Sequence, residues 1–270
     1  MINFSEILWK PHRSERGARP SVVNSEAEDS GVSAELALIP VVQVRIRPET
    51  RIVLLTDSRG PGADRFRFLR MRLGELKDAV NLSKVLITSP LPQDGKSTVA
   101  LNLATALAEN GRRRVLLIEA DLYHPTIAQR LELPVGAGLG ECLENGVDPF
   151  SVIRHLEPLG WFLLASGVVR GNPTELLQSG SFPKLLEKLS PHFDWILVDT
   201  PPVTPLTDAV SLSRHVDATL LVVRSGSTPE EAVKESIGLL GQKHVLGIVF
   251  NAAEELNQRY SKYYGHYAQK

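Results

Sequence analysis

Ser89-Pro-Leu-Pro-Gln-Asp-Gly-Lys-Ser-Thr98 decides how the rest of this chain is read. A short apolar run, Lys84-Val-Leu-Ile-Thr88, precedes it and reads as a buried strand. Val99 to Asn110 follows with apolar residues at helical spacing. Strand, tight loop, Gly-Lys-Ser and helix make the layout of a phosphate-binding P-loop. Loop amides and the helix N-terminus would point at the phosphates, where the helix dipole favours negative charge. The nucleotide-binding candidates are therefore Gln93, Asp94, Gly95, Lys96, Ser97 and Thr98. Lys96 supplies a point charge for the β- and γ-phosphates, and the Ser97 hydroxyl can ligate Mg²⁺. The strict pattern asks for glycine where this chain has Pro90. The competing reading is a Gly-Lys-Ser turn that merely starts a helix.

Working outward, the downstream runs alternate between strand and helix. Arg112-Arg-Arg-Val-Leu-Leu-Ile-Glu-Ala-Asp121 reads as a parallel strand with a basic lead-in. Residues i and i+2 of a strand point the same way, so Glu119 and Asp121 could both face the phosphates. One would hold Mg²⁺, directly or through water, while the other accepts a proton. Phe193-Asp-Trp-Ile-Leu-Val-Asp-Thr200 is the second acidic strand. It delivers Asp199 from the sheet's end to the metal shell, as a Walker B strand does. Gly160 to Ser166, Ala218 to Arg224 and Val245 to Asn251 read as further strands. Asn251 closes the last of them on the ligand side, where its amide could contact a base. Helices are expected over 126–131, 138–144, from 172, over 182–189, from 206 and over 228–240, the last with a capping-box-like start at Thr228. The alternation predicts an α/β fold with a mostly parallel, doubly wound sheet. Ligands in such sheets bind beyond the carboxyl ends of the strands.

Upstream, Arg51 to Thr56 reads as a short strand or an extended lead into the domain. Asp64 to Val80 reads as a helix begun by Asp64, with Phe66, Leu69, Leu73 and Leu76 as its apolar stripe. Arg65, Arg67, Arg70 and Arg72 crowd its other faces. Such a face is either solvated and paired within the chain or offered to acidic residues of a neighbouring subunit.

Composition narrows the function classes. The 270 residues are 43% apolar and carry a net charge of −1, so no global field recruits nucleic acid or an anionic membrane. One cysteine, Cys142, excludes an intrachain disulfide and fits a reducing compartment. No apolar run approaches the ~20 residues that span a bilayer, and no signal-peptide pattern opens the sequence. A cytoplasmic protein is expected, with any membrane association borrowed from a partner. Residues 1–44 read as a flexible N-terminal segment, with Met1 to Lys10 as either a small amphipathic anchor or a frayed end. Residues 45–253 form the expected domain, and 254–270 a disordered tail. Four of the five tyrosines lie in that tail, at Tyr260, Tyr263, Tyr264 and Tyr267. Disordered segments normally lack aromatics, which leaves an interfacial anchor, stacking on nucleic acid, or a set of phosphoacceptors as reasons. Phosphorylation would add about −1.5 to −2 charges per site.

Taken in order, Asp64-Arg-Phe-Arg-Phe-Leu-Arg70, Thr88 to Thr98, Val115 to Pro125, Ile196 to Val203, Thr207-Asp208 and the tyrosine tail resemble the bacterial tyrosine kinases of the CpsD/CapB kind, which regulate capsule and exopolysaccharide synthesis. The resemblance covers about residues 45 to 270. It implies a P-loop NTPase related to MinD and ParA that uses ATP and Mg²⁺ to phosphorylate tyrosine. On these positions it implies that Lys96 holds the phosphates, that Ser97, Asp121 and Asp199 complete the metal shell, and that Glu119 helps activate the tyrosine hydroxyl. Asp64, Arg67 and Arg70 match the family's acidic-x-x-Arg-x-x-Arg motif, which helps build a ring of subunits. The tail tyrosines would be phosphorylated by a neighbour in that ring. The 19 residues after Asn251 have a flexible reach of about 24 Å and an extended limit of about 65 Å, so an adjacent protomer is within range. Implied partners are the chain itself, a transmembrane co-polymerase that activates it at the inner face of the membrane, and a phosphotyrosine phosphatase; nucleic acid is not among them.

Several positions depart from the family. Glu119 replaces Asp, Tyr123 stands for Arg, Gln93 for Gly, and Asp64 for Glu. Leu91 occupies the place where MinD and ParA ATPases carry a second lysine. Two other classes stay open on the residues: a non-catalytic, nucleotide-dependent assembly switch, and a ParA/MinD-like positioning ATPase.

Overall fold

The computed structural model describes residues 35–253. Eight strands form one sheet: β1 Val41–Gln43, β2 Lys84–Thr88, β3 Val115–Glu119, β4 Arg154–Glu157, β5 Trp161–Leu164, β6 Trp195–Asp199, β7 Ala218–Arg224 and β8 Val245–Asn251. Their spatial order is β1-β4-β5-β3-β6-β2-β7-β8. Every neighbouring pair is parallel except β4 with β5. Ten helices are described between them: α1 Val53–Thr56, α2 Pro61–Val80, α3 Lys96–Ala108, α4 Ile127–Arg130, α5 Leu139–Asn145, α6 Pro149–Val152, α7 Pro173–Gln178, α8 Ser181–Leu189, α9 Asp208–Ser213 and α10 Glu230–Leu240.

The central strands are apolar along their length because both faces are covered, as parallel sheets require. Alternate residues feed two separate cores. Val85, Ile87, Leu117 and Leu197 join Leu101, Leu103 and Leu107 of α3 on one face. Leu86, Leu116, Ile118, Ile196 and Val198 join Leu139, Phe182, Leu185 and Leu189 on the other. The sheet is thus doubly wound. Ten of the thirteen residues of α3 are buried, including Ser97 and Asn102, so the helix that carries Lys96 is fixed from all sides. Along α2, Leu73 is buried while Phe66, Leu69 and Leu76 pack against the first core, as their spacing predicts.

Six local expectations are corrected. Residues 53–56 are helical rather than extended. Ile52 is fully buried, and the Asn102 side chain claims the backbone on both sides of it: Oδ1 accepts from the Val53 amide at 2.8 Å and Nδ2 donates to the Arg51 carbonyl at 2.8 Å. With its amide and carbonyl satisfied there, the segment has no strand to pair with. Helix α2 starts earlier, with Gly60 as its N-cap and Pro61 in the first turn, which leaves Asp64 inside the helix. Helix α9 begins at Asp208 rather than Leu206. Helix α10 begins at Glu230 with Pro229 as N-cap and no side-chain cap. Two strands were not expected: β4, whose Arg-His-Leu-Glu sequence has no apolar run, and β1, which lies within the 1–44 segment. β1 is the edge strand and β4 lies between it and β5; of the residues in these two strands only Leu156 is buried. The expectations for Met1 to Lys10 and for the tail lie outside the described residues.

Candidate active site

The P-loop joins β2 to α3 and sits at the carboxyl edge of the sheet, between the ends of β6 and β7. Gly95 takes a φ of +97°, which an L side chain resists, and this turn swings the chain from strand into helix. Gln93 also lies in the left-handed region, at φ +66°, without glycine's freedom. Lys96 is the first residue of α3, so its ammonium works beside the helix N-terminus.

Three strands deliver the charges. Lys96 Nζ donates to Asp121 Oδ2 at 2.8 Å, and both side chains are largely buried, at 14% and 4% exposed. The other Asp121 oxygen accepts from the His124 amide at 3.0 Å, which holds the carboxylate in place. Asp199, the last residue of β6, is buried next to β2; its Oδ1 has no hydrogen-bond partner. Burial pushes the Asp199 carboxyl up to about 7, against the pull of Lys96 and the Ser97 hydroxyl. Burial also works against the Lys96 charge, but Asp199 and Asp121 outweigh it and raise that group. The physical content is one cation between two buried carboxylates: it stays charged, and it cannot compensate both. Lys96, Ser97, Asp121 and Asp199 therefore converge.

The remaining expected residues do other things. Glu119 is fully buried, but its oxygens are taken by backbone: Oε1 accepts from the Ile127 amide at 2.5 Å and Oε2 from the Ser166 amide at 3.3 Å. Burial raises its carboxyl while those amides oppose the shift. The expectation that Glu119 faces the phosphates beside Asp121 is corrected on this point. The extra methylene lets Glu119 reach the start of α4. Asn251, expected to offer its amide to a base, gives Nδ2 to the Asp94 carbonyl at 2.9 Å and takes the Ala252 amide on Oδ1 at 3.0 Å. Asp94 turns its carboxylate onto the Leu91 amide at 3.0 Å and the Thr228 hydroxyl at 2.7 Å. Thr98 accepts from Arg130 Nη1 at 2.8 Å. Asp64 and Arg67 pair with each other at 2.8 Å on α2, and Arg67 also donates to the Ser58 carbonyl at 2.7 Å; Arg70 lies half-buried on the same helix. Tyr260, Tyr263, Tyr264 and Tyr267 lie outside the described residues.

Three further residues receive no role in the site from the sequence, although Tyr123 and Asp208 stand out there. Arg130, at the end of the short α4, brings a second cation, a guanidinium, towards Thr98 and Asp199; burial lowers its pKa and Asp199 opposes that. A basic residue closing the helix after an acidic strand was the available signal. Tyr123 bonds Thr174 at 2.8 Å through their hydroxyls. Asp208 is fully buried with neither oxygen hydrogen-bonded; burial raises its carboxyl, with the nearby Thr174 hydroxyl opposing and Asp121 adding to the shift.

The donor set suits a hard divalent cation. Mg²⁺ takes one or two protein oxygens and leaves its other positions to phosphate and water. The unpartnered Asp199 Oδ1 and the Ser97 hydroxyl beside it meet that need. Among the described residues no group of three or more His, Cys, Asp or Glu could hold a metal alone. No described helix is long and apolar enough to cross a membrane.

Comparison with known proteins bears on the same region. The ParA family model, that of the NUBPL iron-transfer P-loop NTPase, matches residues 83–267. Tyrosine-protein kinase YwqD of Bacillus subtilis is 30% identical over 222 residues, covering 81% of this chain and 93% of the relative. Tyrosine-protein kinase ptk of Acinetobacter johnsonii is 30% identical over 90% of this chain, which spans only 34% of that longer protein. Among solved structures, the kinase domain of the Escherichia coli tyrosine kinase ETK superposes with a TM-score of 0.71 at 29% identity, over 77% of this chain and 80% of that one. With a P-loop, two acidic strand ends and a doubly wound sheet in place, the chain belongs to the bacterial tyrosine-protein kinases, on the ParA-type P-loop NTPase fold.

Proposed function

We propose that this chain is an Mg·ATP-dependent protein-tyrosine autokinase that phosphorylates the tyrosines of its own C-terminal segment in a neighbouring subunit. The observation that carries the reading is Lys96, set at the N-terminus of α3 between Asp121 and Asp199. Lys96 and the amides of residues 94–98 would neutralise the β- and γ-phosphates. Ser97 and Asp199 would hold Mg²⁺, with Asp121 beside them; the bound ion would draw charge from the transferring phosphoryl group. Arg130 donates to the Thr98 hydroxyl and so braces the first turn of α3. Transfer is then a matter of alignment and charge stabilisation: the tyrosyl oxygen forms the new bond to phosphorus as the bridging bond to ADP breaks. Asp121 is the carboxylate placed to take the hydroxyl proton once the phosphates have drawn Lys96 away from it. Glu119 acts as a positioning residue, since it ties β3 to the amides of Ile127 and Ser166.

The sequence resemblance supports a place in capsule or exopolysaccharide synthesis, as a domain spanning residues 45–253 that docks on a transmembrane co-polymerase at the inner membrane face. Asp64, Arg67 and Arg70 on α2 are the surface through which copies would assemble, and a phosphotyrosine phosphatase would reset the tail. Intact-mass spectrometry after incubation with Mg·ATP tests the reading. Successive phosphate additions are expected, and a control lacking residues 254–270 should lose them. No addition, even with the co-polymerase's cytoplasmic segment supplied, would replace the kinase by a nucleotide-dependent assembly switch.

A further inference from the structure

A carboxylate one residue before Gly-Lys-Ser is a liability in a loop built to receive a polyanion. Asp94 occupies that place, and it is only 3% exposed. Its side chain is turned away from the mouth of the loop. Oδ2 accepts from the Leu91 amide at 3.0 Å, and Oδ1 accepts from the Thr228 hydroxyl at 2.7 Å. The same Thr228 oxygen accepts from the Arg224 amide at 2.9 Å, so the hydroxyl serves as donor and acceptor at once. Two further contacts cross the same gap. Arg224 Nη1 donates to the Gln93 carbonyl at 3.3 Å, and Asn251 Nδ2 donates to the Asp94 carbonyl at 2.9 Å. Asn251 lies so close that a Cβ on Gly95 would meet its Nδ2 at 1.9 Å. Beside Thr228 a cavity of about 320 Å³ separates the P-loop from the β7–α10 turn. Hydrogen bonds, not bulk packing, hold the two segments together there.

We infer that Thr228 is a positioning residue for the nucleotide loop: its hydroxyl holds the Asp94 carboxylate out of the phosphate site and sets the backbone of residues 93–95 for binding. The inference rests on the reading of residues 89–98 as a nucleotide site. It explains why α10 starts at Glu230 rather than at Thr228. The hydroxyl that would have capped the helix is committed to Asp94. Valine matches threonine in shape and loses both hydrogen bonds, leaving Asp94 Oδ1 buried without a partner and free to turn towards the phosphates, where like charge repels. Serine keeps both bonds.

Isothermal titration of the full chain with Mg·ATP and Mg·ADP tests this, beside hydrogen exchange at the loop amides. T228V should bind Mg·ATP about tenfold more weakly than the unsubstituted chain, the size expected for losing one hydrogen bond to a buried charge. The loss should be larger for ATP than for ADP, since the γ-phosphate adds the repelled charge. The Leu91 amide should exchange faster, and T228S should stay within about twofold of the parent. D94N placed on T228V should recover part of the ATP affinity, which a merely structural role for Thr228 would not do. T228V binding as tightly as the parent, or T228S as weak as T228V, overturns the inference while leaving the nucleotide site standing. A parent chain that binds neither nucleotide overturns both.

Discussion

The two ends of the same sheet treat their carboxylates in opposite ways. At the amino end, Asp217 precedes β7 and accepts three hydrogen bonds on Oδ2: from the Ser83 amide at 2.9 Å, the Ser83 hydroxyl at 3.1 Å and the Lys84 amide at 2.7 Å. Lys84 adds an ion pair at 3.3 Å. Asp194, nearby, takes the Arg114 amide at 2.8 Å. At the carboxyl end, Asp199 leaves one oxygen unpaired and Asp208 leaves both, although each is buried. Burial favours protonation at both ends; at Asp217 the amides of Lys84 and Ser83 outweigh it and the carboxyl is lowered, whereas at Asp199 and Asp208 burial wins. One end spends its polar groups on holding strands in register. The other leaves buried acceptors without partners, at a cost in stability.

The comparison predicts that the two ends respond differently to substitution. The largest effect is expected at Lys96. Lys96→Met removes the cation shared by Asp121 and Asp199, and should weaken Mg·ATP binding by about 2–5 kcal/mol, by analogy with truncated buried charge pairs. Tyrosine phosphorylation should disappear with it. Parent-like phosphorylation of the K96M chain would sink the site assignment.

Asp217→Ala tests the other end. It should cost about 2–3 kcal/mol in urea unfolding, because two amides and a hydroxyl lose their acceptor, while Mg·ATP affinity stays unchanged. Its pH signature has a defined sign. The folded Asp217 carboxyl lies below its ordinary value. Its stabilisation is thus fully present above the unfolded value of about 3.9 and fades as pH falls through the lower folded value. The parent should lose its advantage over D217A across that acid range; an advantage that persists unchanged there would break the contrast.

Asp208→Asn should go the other way and stabilise the fold by about 1 kcal/mol at pH 7, since it removes a buried charge that lacks a partner. The folded Asp208 carboxyl is raised. The parent therefore holds its full stability below the unfolded value and loses it as pH climbs towards the folded value, so the gain from D208N should shrink towards pH 3. Unfolding curves at pH 3 and pH 7 that show equal gains would remove Asp208 from the contrast. The smallest effect belongs to the loop backbone. Gln93→Gly should relieve the left-handed strain at φ +66° and raise stability by about 0.5 kcal/mol, after the entropy cost of glycine.

What the sequence made legible follows the same division. Buried strands such as Val115–Glu119 and Trp195–Asp199 are written as contiguous apolar runs ending in acid, and the P-loop is contiguous too, so fold and phosphate site can be read directly. Strand β1, at the sheet's edge, and β4, beside it, carry no such run, and of their residues only Leu156 is buried. The side chains that tune the site come from far along the chain: Thr228 is 134 positions from Asp94, and Asn251 is 157. No local pattern records such pairings. Glu119 shows a subtler limit. The period of a strand says which face a residue takes, but not whether a longer side chain will bend to a backbone amide instead of a ligand.

Asn251 is the last residue of β8 and a direct holder of the Asp94 carbonyl. In sequence, Tyr260, Tyr263, Tyr264 and Tyr267 follow that joint by nine to sixteen positions. In mechanical terms Asn251 pins the end of β8 to the P-loop. The joint is doubled: the Asn251 carbonyl also accepts from the Ser225 amide at 2.9 Å, so the end of β8 is tied at once to the P-loop and to the turn that follows β7.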